Sequence, residues 1–108
     1  MQRVLDYVLA NAEKNNPLAI LETIDRFTIE SGEFLMNVGP EKGKILQSTL
    51  RKHEPVKILE LGAFIGYSAI LIASTVDDDA SLYSIDPDQN SIDISEKIVD
   101  FAGLSNKV

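Results

Sequence analysis

Cysteine is absent from the 108 residues. That excludes a disulfide framework, a thiolate metal site and a cysteine nucleophile, and it fits a cytoplasmic location, which is expected on this ground. Positive charge is scarce. Ten Lys and Arg face 17 Asp and Glu, giving a net charge of −7 and a pI near 4.5. A surface of that sign repels phosphate backbones, so nucleic-acid binding would need a local basic patch. The nearest cluster, Arg51-Lys52-His53, is followed at once by Glu54 and reads as the cationic last turn of a helix. The single histidine, His53, has no partner at metal-ligand spacing and reads as surface. Long apolar runs are also missing: Asp6 interrupts the opening segment where a signal peptide needs continuity, and no stretch approaches the ~18 apolar residues of a membrane span. No nucleic acid and no membrane are expected as partners. What remains is 44% hydrophobic and 25% charged, the balance of an ordinary globular domain, and the length allows one domain.

Val4, Leu5, Val8, Leu9 and Ala12 recur at helical spacing and predict an amphipathic first helix. Asn16-Pro17 reads as an N-cap followed by proline at the first helical position, where its missing N–H costs nothing. Leu18, Leu21, Ile24 and Phe27 or Thr28 supply the stripe of that second helix, and Ser31-Gly32 breaks it. Residues 34–39 form a short apolar loop before Pro40 opens a third helix carrying Ile45, Leu46 and Leu50. Glu54-Pro55 ends that helix, because the residue before proline is pushed from helical geometry. Val56 to Leu61 is an apolar run with Lys57 as interruption, followed by Gly62-Ala63-Phe64-Ile65-Gly66 and a helix from Tyr67 to Ser74. Asp77-Asp78-Asp79 marks a turn; adjacent carboxylates there resemble a metal cluster only superficially. Ser81 to Ile85 reads as a second strand ending at Asp86-Pro87. Asp88 to about Phe101 is helical again, with Gly103 as the C′ residue. Leu104 to Val108 reads as the approach to a third strand. Strand, glycine loop, helix, strand, helix is a βαβα pattern and predicts an α/β fold with a parallel sheet. The expected organisation is one domain over 1–108, with an N-terminal helical layer over 1–53 and a βαβα unit over 54–108.

The informative segment is Glu60-Leu61-Gly62-Ala63-Phe64-Ile65-Gly66-Tyr67-Ser68-Ala69. A strand ending in glycine lets a ligand approach the backbone, and the following helix aims free N–H groups at the same place. In doubly wound sheets ligands lie at such carboxyl ends. A dinucleotide fingerprint would have its second glycine where Phe64 stands, and a triphosphate loop would follow its last glycine with lysine where Tyr67 stands. Both phosphate readings fail on those residues, whereas a nucleoside cofactor lacking phosphates needs no such close approach. Asp86, at the end of the next strand, is placed to accept hydrogen bonds from ribose hydroxyls. Each feature also has a plainer reading: Gly62 and Gly66 as a tight connection, Asp86 as the start of a capped turn, Glu60 as a solvated strand end.

Met36-Asn37-Val38-Gly39, Lys42-Gly43, Ile58-Leu59-Glu60-Leu61-Gly62-Ala63, Gly66-Tyr67-Ser68-Ala69 and Phe101-Ala102-Gly103-Leu104 with Lys107-Val108 together resemble the catechol O-methyltransferase family. The resemblance runs in register along almost the whole chain, including Gln2-Arg3-Val4-Leu5-Asp6-Tyr7-Val8. It implies a partial Rossmann-like methyltransferase fold, truncated at the third strand, with S-adenosylmethionine as cofactor. By resemblance Met36 lies near the sulfonium and Val38 offers a backbone contact to the methionine carboxylate. Glu60, Gly62 and Ala63 line that end, Tyr67 and Ser68 complete it, and Ser68 hydrogen-bonds the carboxylate. Asp86 stands where the family has a glutamate on the ribose, so the acceptor is kept but shortened by a methylene. Phe64 matches a tyrosine without its hydroxyl. Phe34 matches a tryptophan that gates the substrate pocket.

The family transfers a methyl group from the sulfonium to a catechol oxygen, with magnesium activating the nucleophile and a lysine accepting its proton. The resemblance places the magnesium ligands and that lysine on later strands and loops, so no catalytic and no metal-binding residue is expected within this chain. A first strand without its later neighbours would keep an unpaired edge, which predicts marginal stability or self-association through that edge. The functions to be weighed are a catechol-methylating enzyme represented mainly by its cofactor-binding half, a nucleoside-cofactor module working with a partner chain, and a non-catalytic interaction domain.

Overall fold

Helix α1 (Gln2–Asn11) buries Val4, Leu5 and Val8, which share a face at helical spacing. Leu9 does not join them and is 46% exposed. Asn16 caps helix α2 (Pro17–Ser31), its side chain accepting from the Ala19 N–H at 3.1 Å, and Gly32 ends the helix in left-handed geometry at φ 70°. The buried stripe of α2 is Ile20, Leu21, Thr23, Ile24 and Phe27, whereas Leu18, expected within it, is 67% exposed. Leu18 sits in the first turn, two positions before Ile20, where the buried stripe begins. The computed structural model describes residues 2–32 and 39–108. The expectations for Phe34, Met36 and Val38 fall outside those residues.

Helix α3 (Gly39–His53) buries Leu50 and Gly43, with Leu46 partly covered, while Ile45 is exposed. Gly43 lets α3 approach the following helix closely, since a Cβ there would stand 3.2 Å from a Leu71 methyl. Arg51, Lys52 and His53 occupy the last turn of α3, where positive charge suits the helix dipole.

Strand β1 (Lys57–Leu61), helix α4 (Tyr67–Thr75), strand β2 (Ser81–Ile85) and helix α5 (Gln89–Phe101) complete the βαβα unit. The strands pair in parallel, with Lys57 opposite Ser81 and Leu61 opposite Ile85. The Gly62 N–H donates to the Ile85 carbonyl at 2.7 Å and carries the pairing one residue past the end of β1. On the other side of β2, the Leu82 N–H donates to the Lys107 carbonyl at 2.7 Å, so the residues expected to approach a third strand do begin one backbone pairing.

Helix α4 is apolar all round and buries Tyr67, Ala69, Ile70, Leu71, Ile72 and Ala73. A helix without a polar face belongs in the middle of a structure, and α4 packs against α2, α3, α5 and β2. One face of the sheet rests on this core through Leu82, 2% exposed, and the half-buried Ile58. The opposite face presents Leu59, Leu61, Tyr83 and Ile85 to solvent.

Candidate functional site

The carboxyl ends of β1 and β2 lie side by side, and each chain turns there for a different physical reason. Gly62 takes φ 94° with nothing within 4 Å of where a Cβ would stand, so the backbone lies bare to whatever occupies that space. Phe64 holds φ 47°, a left-handed conformation that non-glycine residues rarely adopt. Gly66 stands at φ 87°, and a Cβ on it would meet the Ser95 Cβ at 3.2 Å and its Cα at 3.3 Å. Gly62 therefore keeps space open, while Gly66 closes the packing of α4 on α5.

Asp86 fixes the turn from the neighbouring strand. Its Oδ2 accepts from the Phe64 N–H at 3.2 Å and its Oδ1 from the Asp88 N–H at 2.8 Å. The Asp88 N–H above all, then those of Phe64 and Ala63, hold the Asp86 carboxyl below its ordinary range, because donors aimed at a carboxylate favour its charged form. Leu61, Gly62, Ile85, Asp86 and Pro87 line a shallow crevice of about 400 Å³ across the two tips. That is within the range of roughly 300–1,000 Å³ typical of small-molecule sites. A larger groove of about 740 Å³ runs along β2 beside α5. Its lining includes Ala63 of the glycine turn and Ser84 of β2.

Glu60 sits on the covered face of β1, directly opposite Ser84 of β2. The Ser84 hydroxyl donates to Glu60 Oε1 at 2.7 Å. Burial pushes the Glu60 carboxyl above its ordinary value, and the Ser84 bond only partly opposes that. Periodicity gives no hint of Ser84; strand pairing identifies it, because parallel register puts it level with Glu60.

The other expected residues divide. Ser68 stands in the first turn of α4, whose cap, Gly66, supplies no side-chain hydrogen bond, so the helix offers N–H groups suited to an anion. Ala63 is buried beneath the turn, and its carbonyl accepts from the Gly66 N–H at 2.9 Å. Tyr67 turns away from the tips: its ring is 3% exposed and its hydroxyl donates to Asp25 of α2 at 2.9 Å. Burial raises both partners, and Asp25 raises Tyr67 further. Tyr67 thus brings only its backbone toward the crevice. Among the described residues no group of three or more His, Asp or Glu could hold a metal, and no helix is long and apolar enough to cross a membrane.

This chemistry suits a nucleoside joined to an amino acid. The open glycine backbone leaves room beside it, Asp86 keeps carboxylate lone pairs beyond those its backbone donors use, and the start of α4 presents N–H groups of the kind that suit a carboxylate. Comparison with known proteins gives the same direction. The O-methyltransferase family model matches residues 9–108. The chain is 38% identical to catechol O-methyltransferase of Mus musculus over 107 residues, covering 99% of this chain and 40% of that protein. It is also 38% identical over 104 residues to a probable O-methyltransferase of Mycobacterium tuberculosis, covering 96% and 44%. The Bacillus cereus O-methyltransferase solved with S-adenosylhomocysteine (SAH) superimposes with a TM-score of 0.70 at 25% identity, over 82% of this chain and 40% of that one. The Streptomyces achromogenes O-methyltransferase solved with S-adenosylmethionine gives 0.69 at 26%, with the same coverage. The chain spans about 40% of the length of such relatives, and its sheet is the corresponding part of their Rossmann-like fold. From the strand-tip glycine turn, the acid beside it and a family match over residues 9–108, this chain belongs to the O-methyltransferase family.

Proposed function

We propose that the chain holds S-adenosylmethionine for methyl transfer to a catechol hydroxyl. The observation that carries this reading is the meeting of Asp86 with the bare backbone at Gly62 across one crevice. In this arrangement Asp86 accepts from the ribose hydroxyls with lone pairs that its backbone donors leave over. Ser68 and the N–H groups at the start of α4 receive the amino-acid carboxylate, and Glu60 lies toward the ammonium. When bound, the cofactor supplies an electrophilic methyl group on sulfur. This chain's own residues bind and orient it.

The catechol substrate is supported by relatives that carry that name, in Mus musculus and Bos taurus. The magnesium that such a reaction would use finds no ligand set among the described residues. Isothermal calorimetry with SAH tests the cofactor reading: saturable binding is expected, weakened about tenfold or more by Asp86→Ala, the loss of one or two hydrogen bonds to a charged acceptor. Absence of binding by the unmodified chain would end this reading. It would leave the interaction-domain alternative.

A further inference from the structure

Glu60 is a half-buried carboxylate, and Ser84 is its hydrogen-bond partner among the described residues. That bond engages Oε1. Oε2 accepts none there, and no Lys or Arg forms an ion pair with the group among the described residues. A partly buried carboxylate gains from pairing or further hydrogen bonds, so the second oxygen is suited to a donor from outside, preferably a cationic one. We propose that Ser84 is a positioning residue, its hydroxyl holding the Glu60 carboxylate to receive the ammonium group of an amino-acid ligand at the strand tips. This rests on the cofactor reading above, in which the ligand ends in an amino acid.

Three structural features support it. Glu60 and Ser84 are direct register partners in a parallel pair, so their separation is set by the ladder and not by a mobile loop. Both lie on the covered face with Ile58 and Leu82, which restricts the rotamers open to the glutamate. The pair stands two residues before Gly62, whose bare backbone lets a ligand's chain come close. Ser84 thus fixes one oxygen through strand pairing already in place and leaves the other without a donor among the described residues.

The test compares SAH with 5′-methylthioadenosine, which keeps the nucleoside and thioether but lacks the amino-acid end. Ser84→Ala is expected to weaken SAH binding about tenfold, the scale of one charge-assisted hydrogen bond. Methylthioadenosine binding should be unchanged, which also reports that the variant is folded. Ser84→Thr, which retains the hydroxyl, should restore SAH affinity. In a Glu60→Gln background, Ser84→Ala should cause no comparable loss, because the charge it positions is gone. Equal loss for both ligands would make Ser84 merely structural and overturn the inference, as would no loss for either. If the unmodified chain binds methylthioadenosine and SAH, the cofactor reading stands whatever Ser84→Ala does. If it binds neither, that reading falls and takes the inference with it.

Discussion

Asp86 and Glu60 end up with opposite protonation tendencies because their neighbours differ, although both are acids near strand ends. Asp86 meets backbone N–H groups and its carboxyl is lowered. Its contribution to stability is therefore present above the ordinary aspartate range and is lost as pH falls through its lowered folded value. Glu60 is raised by burial, so the native state binds its proton more tightly than the unfolded chain does. Stability then declines as pH rises from the ordinary glutamate range through the raised folded value. Glu60→Gln removes that charge while keeping an acceptor for Ser84. It is expected to raise the thermal midpoint by roughly a few degrees at neutral pH, on the scale of 4–8 °C per kcal/mol for a small domain. The gain should vanish in acid where Glu60 is already protonated. Thermal denaturation at the two pH values checks this, and a gain that persists in acid would show that burial of charge is not the cause. The same variant should bind SAH less well, so stability and ligand affinity would move in opposite directions.

Helix α4 is where the elements are tied together. At its start, Gly66 lies against Ser95 of α5 and the Tyr67 hydroxyl reaches Asp25 of α2. At its end, the Lys107 ammonium donates to the carbonyls of Ala73 at 2.8 Å and Val76 at 3.1 Å. Gly66→Ala combines positive φ with contacts that involve backbone as well as side chain, so a loss of about 2–3 kcal/mol is expected in urea denaturation. Tyr67→Phe removes one hydrogen bond to a half-buried carboxylate and should cost about 1–2 kcal/mol. SAH affinity should hold within about twofold, because one lost or kept hydrogen bond would exceed that; a larger drop would mean that the hydroxyl serves the ligand. The sequence made much of this layer legible. Asn16-Pro17 announced α2, the run from Ser81 to Ile85 is the strand as it stands, and Gly103 follows α5 at φ 79°. Pairing across elements was not legible. Nothing local to Tyr67 says that Asp25, 42 positions earlier, will take its hydroxyl, and nothing local to Ser84 links it to Glu60. Glycines 62 and 66 look alike in the chain, and only their surroundings show that one keeps a space open and the other closes a contact. Leu9, Leu18 and Ile45 matched helical spacing yet are exposed, since periodicity finds a stripe but not where the stripe's cover stops.

At the scale of the molecule, the sheet divides two environments. Its inner face rests on α4, while Leu59, Leu61, Tyr83 and Ile85 are 64%, 75%, 60% and 53% exposed on the outer one. Parallel register sets Leu59 beside Tyr83 and Leu61 beside Ile85, so the four form one continuous apolar wall. Parallel sheets are ordinarily covered on both faces, and contiguous exposed apolar surface favours association. Against that stands a net charge of −7, which makes copies of the chain repel one another. These opposing forces respond differently to dissolved ions. Repulsion reaches over a Debye length of about 10 Å at 0.1 M and only about 3 Å at 1 M, whereas apolar attraction is not screened. Added sodium chloride should therefore drive copies together, and light scattering across a salt series should record a rising mean mass. Leu59→Lys should flatten that rise. A bare wall on a strongly acidic body should make ionic strength a setting that governs how many copies travel together.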